Sequence, residues 1–302
     1  MADTEHDWND RLDAFRVPGV LTSPGRYASA FGDLPSGIEE LRATVQGLVV
    51  HEHLTGLYDV TLPPERVALV HTRPVERILE RILDDDDRSL TEPREPAGRF
   101  VGNCRHYSVL FVAMLRAQGI PARARCGFGA YFAEGRFEDH WVAEYWDGAE
   151  RRWRLVDAQI DARQRAEWGI GLDLTDVPRD RFLTSGAAWQ LCRSDELDPA
   201  RFGLQALGLS GWYWITDNLI RDVAALNNME LLPWDVWGAM TEPGESVPDD
   251  RAAWFDELAE LSSGADVDTA ELGRRYRADE RLTVPDRVHN AVRDRMEPVL
   301  EP

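Results

Sequence analysis

The chain has 302 residues, enough for one large domain or two small ones, and its 43% hydrophobic content with eleven Trp excludes wholesale disorder. Its 54 acidic against 34 basic side chains give a formal charge of −20, which repels phosphate and argues against nucleic acid or an anionic membrane as a partner. No stretch reaches the roughly 20 apolar residues that a bilayer requires. The start, MADTEHDWND, lacks the basic-then-apolar order of a secretory leader. Three cysteines, Cys104, Cys126 and Cys192, are too few for a disulfide framework and lack zinc-type spacing, so a reducing cytoplasm is the expected compartment. Every basic residue is Arg, for which a GC-rich coding bias is the plain explanation. A chain without Lys also cannot crosslink to itself through side-chain amines.

Residues 1–36 carry scattered Pro, Gly and charge and read as an irregular arm on the surface. Ile38, Leu41, Val45, Leu48 and Val49 then recur at helical steps, with Ser36 as the expected N-cap and Glu39 three residues on. A second helix is expected from Pro74 to Leu83, with Val75, Ile78, Leu79 and Ile82 on one face. The acidic run 84–88 and the Pro-rich 91–98 read as a solvated loop. Cys104 to Ala117 reads as a helix striped by Leu110, Phe111, Met114 and Leu115. Asn103 is its N-cap, and Gly119 before Ile120-Pro121 is its stop. Strand-like runs follow at 122–128, 140–146 and 153–157. Farther on, Asp217–Leu226 reads as a helix, 230–238 as a packed loop, 242–250 as a linker and Ala252–Leu261 as a last helix. The expected organisation is an arm at 1–36, a core at 37–175 and a mostly helical extension at 176–302 packed on it.

Chemistry concentrates between residues 99 and 161. The thiolate is the reactive form of cysteine, and a helix N-terminus favours it through unpaired amides and the macrodipole. GNCRHYSVLF places Cys104 in that first turn. If Asp147–Glu150 is a four-residue hairpin loop, Trp146 faces Arg151 and the same register sets His140 opposite Asp157. A carboxylate there holds one imidazole nitrogen, fixes the tautomer and raises the basicity of the other. Cys, His and Asp in that order describe nucleophilic acyl chemistry.

The run GNCRHYSVLFVAMLRAQGIPARARCGF, then DHWVAEYW, then RWRLVDAQID resembles the transglutaminase-like superfamily, which includes crosslinking enzymes, peptide N-glycanases and bacterial proteases, amidases and acyltransferases. The resemblance covers residues 99–161. It implies an α+β fold with a papain-like, transglutaminase-like core, in which the catalytic Cys opens a helix packed on an antiparallel sheet and helical elaborations lie at both ends. Carried over residue by residue, it makes Cys104 the nucleophile, His140 the base and Asp157 the orienting acid. The animal crosslinking enzymes imply calcium, but no run of spaced acids and glycine resembles an EF-hand loop, and no metal or cofactor is expected.

The substrate expected is a peptide, amide or acyl-thioester. The backbone N–H of Cys104 is the natural first oxyanion donor, and Asn103, Trp141 and Gln159 are candidates for the second or for substrate contact. Each also has a structural role open to it, as N-cap, core filler or strand-end polar group. His51-Glu52-His53 lacks zincin spacing and reads as helix surface, and His106 points away from the thiol. Arg123 and Arg125 suit pairing with surface acids, Cys126 and Cys192 suit a core, and Trp212, Trp214, Trp234 and Trp237 suit packing before pocket lining. The competing function is a non-catalytic scaffold that keeps the fold and binds a partner.

Overall fold

The computed structural model describes residues 12–241, 244, 247 and 249–300. The acidic start read at 1–10 and most of the linker read at 242–250 lie outside the described residues. The chain is α+β, and it divides into two compact units: Met1–Ala124 with Val142–Val177, and Arg125–Trp141 with Pro178–Pro302.

In the first unit, α1 (Ile38–Leu48) runs directly into β1 (Val49–His51). Its N-cap is Gly37, which makes no side-chain cap bond, and not the expected Ser36; Glu39 pairs with Arg42 instead. Helix α2 (Val75–Asp85) buries Val75, Ile78, Leu79 and Ile82, the face its spacing predicts. Strand β2 (Phe100–Gly102) pairs in parallel with β1, Val49 to Phe100 and His51 to Gly102, and delivers the chain to α3 (Cys104–Ala117). Val109 through Leu115 are each wholly buried, so α3 is apolar all round where a striped helix was expected. Such a helix belongs inside a core, and α3 packs against α1, α2, β1 and β2. It stops where Gly119 takes φ +74, a conformation that glycine adopts without strain.

From residue 12 on, the arm is not superficial. Leu12, Phe15, Leu21 and Phe31 are buried, Phe15 meets Trp153 edge-on at 5.7 Å, and Val75 donates to Leu21 O. Strand β3 (Ala122–Gly129) leaves this unit after Ala124, and β4 (Phe137–Asp147) returns to it at Val142. There β4 pairs antiparallel with β5 (Arg152–Val156), which α4 (Ala162–Trp168) follows.

The second unit holds the middle of this chain and its C-terminal part. Gly127–Gly129 of β3 pair with β6 (Phe182–Thr184), while Phe137 and Glu138 of β4 pair in parallel with β7 (Phe202–Leu204), itself paired with β8 (Leu209–Ser210). Phe202 stacks on Phe137 at 4.4 Å and meets Phe128 edge-on at 5.1 Å. Helices α5 (Ser185–Arg193), α6 (Trp212–Leu226) and α7 (Asp249–Ser262) pack on one another, and α8 (Thr269–Ala278) packs on α6 and α7. The expected last helix is therefore not last. Helix α8 follows it, and a short sheet sets β10 (Arg287–Asn290) between β9 (Asp235–Val236) and β11 (Arg295–Pro298).

Arg123 and Arg125 do not meet surface acids. Arg123 Nε donates to the buried Glu144 at 2.7 Å, with its guanidinium 4.0 Å from the Trp153 ring centre. Arg125 forms two bonds to the buried Asp222, 3.0 and 2.8 Å, and a third to Ser262 O. Both guanidinium groups are absorbed by the core. No helix among the described residues is long and apolar enough to cross a membrane.

Candidate active site

The start of α3 is built by three consecutive residues. Gly102 leaves room that a side chain would fill, since a Cβ there would lie 2.8 Å from His106 Cβ. Asn103 caps the helix, its Oδ1 accepting from Arg105 N at 3.1 Å. Cys104 is the first helical residue, 7% exposed. His106 completes the cap by accepting the Asn103 N–H on Nδ1, while Nε2 donates to Thr72 O at 2.9 Å. Burial drives its pKa well below the usual histidine range, so the ring is neutral in one fixed tautomer. His106 is therefore a structural cap, a role hidden in the sequence because capping boxes ordinarily carry Glu or Gln at that position.

Asp157 lies just past β5, wholly buried, and its Oδ1 accepts the N–H groups of Gln159 and Ile160 at 2.9 and 3.2 Å. From α1, Arg42 clamps the same turn by donating to Asp157 O and Ile160 O, with Gln46 alongside on Ala158 O and Ile160 O. His140 sits on β4, 3% exposed, with the Phe132 ring edge-on at 5.0 Å and the Tyr131 ring at 6.1 Å. The residue before it, Asp139, accepts from Asn218 Nδ2 at 2.6 Å.

The hairpin register differs from the expected one by two residues. Trp146 pairs with Trp153 and Ala143 with Val156, so continuation of the ladder sets Asp157 opposite Val142, not His140. The cause lies in the turn. Asp147 Oδ1 accepts from Ala149 N and Glu150 N, keeping Asp147 on the strand, and Arg151 takes a left-handed φ of 53° to close the loop. Because the shift is even, the face on which each side chain lies is unchanged.

Cys104, Asn103, Asp157 and Gln159 belong to the first unit, His140 and Trp141 to the second. Asn103 Nδ2, Trp141 Nε1 and Gln159 Oε1 are each buried and meet no hydrogen-bond partner among the described residues. Burial pushes the Cys192 thiol up to about 12, which keeps it protonated and unreactive. Cys126 is wholly enclosed, and all three cysteines are free of disulfides. Trp237 donates to Leu282 O from a buried position, as a packing role requires.

His51 ends β1, and Glu52 and His53 form a turn, not a helix surface. Among the described residues no group of three His, Cys, Asp or Glu is placed to hold a metal ion. Glu52 N donates to Gly102 O at 2.9 Å, and His53 Nε2 lies 3.9 Å from its carboxyl. Burial pushes that carboxyl up to about 7. Between about pH 4.5 and 7 the folded chain keeps a proton that the unfolded chain has released, so stability present at low pH is lost as pH rises through 7. Glu52→Gln should reduce the loss of stability between pH 5 and pH 8 by up to about 3 kcal/mol, measured by urea unfolding at both pH values. An unchanged difference would show that Glu52 is not its source.

Comparison with known proteins bears on this region. The family model described as the transglutaminase-like superfamily matches residues 84–158. Residues 84–158 are thus the part of the chain that is similar to this superfamily. Within that segment fall β2, α3, β3, β4 and β5, and with them Cys104, His140 and Asp157. A solved structure from Cytophaga hutchinsonii, named as a "putative cysteine protease", is similar at 18% identity and a TM-score of 0.31. That likeness covers 56% of this chain, and the chain spans 44% of that structure's length. No curated protein matches the chain.

Proposed function

We propose that the chain is a cysteine-dependent acyl-transfer enzyme working through Cys104, His140 and Asp157, in a reducing, cytoplasmic compartment. The observation that carries this reading is Cys104 at the first position of a doubly capped helix inside the transglutaminase-like segment. In the proposed reaction His140 takes the thiol proton, and the sulfur attacks the carbonyl carbon of an amide, peptide or thioester. The C–S bond forms, the carbonyl electrons move to oxygen, and the backbone N–H of Cys104 stabilises that oxyanion. Collapse expels the leaving group, which takes the proton from His140. Water or an amine then attacks the acyl-enzyme, giving hydrolysis or transfer. Asp157, fixed by two backbone N–H groups and clamped from α1, holds and charges the imidazole.

The test is incubation with a panel of Gln peptides, simple amides and acyl thioesters, with and without a labelled primary amine. Amine incorporation marks a transferase; product release without incorporation marks a hydrolase. The reading predicts one or the other. Inertness toward the whole panel would favour the scaffold.

A further inference from the structure

Gln159 ends a hydrogen-bond relay whose polarity can be read from its far end. The Asp161 carboxylate caps α4, its Oδ1 accepting from Arg163 N and Gln164 N, and Oδ2 accepts from Tyr58 Oη at 2.7 Å. A carboxylate in that position only accepts, so Tyr58 spends its proton there. Its oxygen must then accept, and Gln164 Nε2 donates to it at 2.9 Å. That leaves Gln164 Oε1 facing Gln159, which donates from Nε2 at 3.2 Å. By exclusion the remaining atom is Gln159 Oε1, an acceptor, on a side chain 4% exposed and with no donor reaching it among the described residues. The guanidinium groups of Arg99 and Arg163 lie 5.7 and 5.5 Å from the Tyr58 ring centre.

The relay adjoins the site within the first unit. Gln159 N is bonded to Asp157, and the carbonyls on either side of Gln159 are held by α1, which continues into the β1–β2 pair ending two residues before Cys104. Tyr107, nearly one turn on from Cys104, donates from Oη to Val49 O at the start of β1, at 2.9 Å.

We propose that Gln159 is a specificity residue, accepting through Oε1 a hydrogen bond from an N–H of the substrate held at Cys104. This rests on the function proposed above and narrows it to amide-bearing acyl donors. One of the two N–H groups on Gln159 Nε2 is committed to Gln164. A buried acceptor discriminates strongly, since a ligand lacking the N–H leaves it desolvated and unpaired.

Two alkylating probes of nearly equal shape read this directly: iodoacetamide, which carries N–H, and methyl iodoacetate, which does not. Their second-order rate constants at Cys104 are measured by peptide mapping, and their ratio cancels changes in the thiolate itself. The ratio should fall about fivefold in Gln159→Met, which keeps the volume and removes the acceptor. Tyr58→Phe deletes one hydroxyl and frees the relay to reverse, so it should lower the ratio about twofold or more. It decides the matter if Gln159→Met fails to fold. Selective labelling of Cys104 with an unchanged ratio overturns the assignment of Gln159 alone. Absence of selective labelling by either probe overturns the parent reading and this one with it.

Discussion

Cys104→Ala should lower turnover about 10⁴-fold or more while leaving the fold intact. The two effects separate because the thiol is the proposed bond-forming group but contributes little to the core. It sits at the helix start with 7% exposure, and its loss removes one sulfur atom from a cap otherwise held by Asn103 and His106. The cost in stability should be about 1 kcal/mol or less. Cys126→Ala and Cys192→Ala should show the reverse pattern, with destabilisation and rates within about threefold of the parent. Both thiols are buried, and Cys192 is held protonated by its surroundings. Product formation from the panel above, together with thermal melting of each variant, checks all three. Retained turnover in Cys104→Ala would dismiss this residue as nucleophile.

Asp222→Ala should destabilise the second unit by about 3–5 kcal/mol. Asp222 is wholly buried on α6 and receives three bonds, two from Arg125 and one from Cys126 N at 2.9 Å. Removing it leaves a desolvated guanidinium without its carboxylate, although the Ser262 and Gly264 carbonyls still accept from it. An unpaired buried charge costs far more than the intact pair contributes, since the pair's attraction is largely offset by its own desolvation. Arg125→Met combined with Asp222→Leu should therefore cost less than the two single changes added together, with a coupling of about 1–3 kcal/mol. Urea unfolding of Asp222→Ala, and of the parent, the two single variants and the double variant, completes the test. A loss below about 1 kcal/mol in Asp222→Ala would contradict this account.

Local signals made the helices and strands around the site legible. Asn103 and Gly119 bracket α3 at the residues where it begins and ends, and the face of α2 follows its spacing. What escaped depends on partners distant in the chain. The acids that absorb Arg123 and Arg125 lie 21 and 97 residues away. The start of α6 at Trp212 follows Gly211 at φ 110, where neighbouring aromatics obscure the helical period. The β10–β11 hairpin was missed because its exposed positions carry Arg287 and Arg295 and its turn uses Asp294 at φ 48. Among the candidate site residues, Cys104, His140 and Asp157 were picked out through family resemblance. Gln159 was a candidate for substrate contact, but the relay through Tyr58 that orients its amide was not legible, because no local pattern announces it.

The direct measurement is the rate of Cys104 alkylation by iodoacetamide from pH 5 to 9, mapped by peptide mass in the parent and in His140→Ala. A thiolate sustained by an imidazolium should react rapidly down to about pH 6, and His140→Ala should abolish that low-pH reactivity while Cys126 and Cys192 stay inert. Equal, slow labelling of all three cysteines that rises only above about pH 8.5, unaltered by the histidine change, would contradict the proposed enzyme.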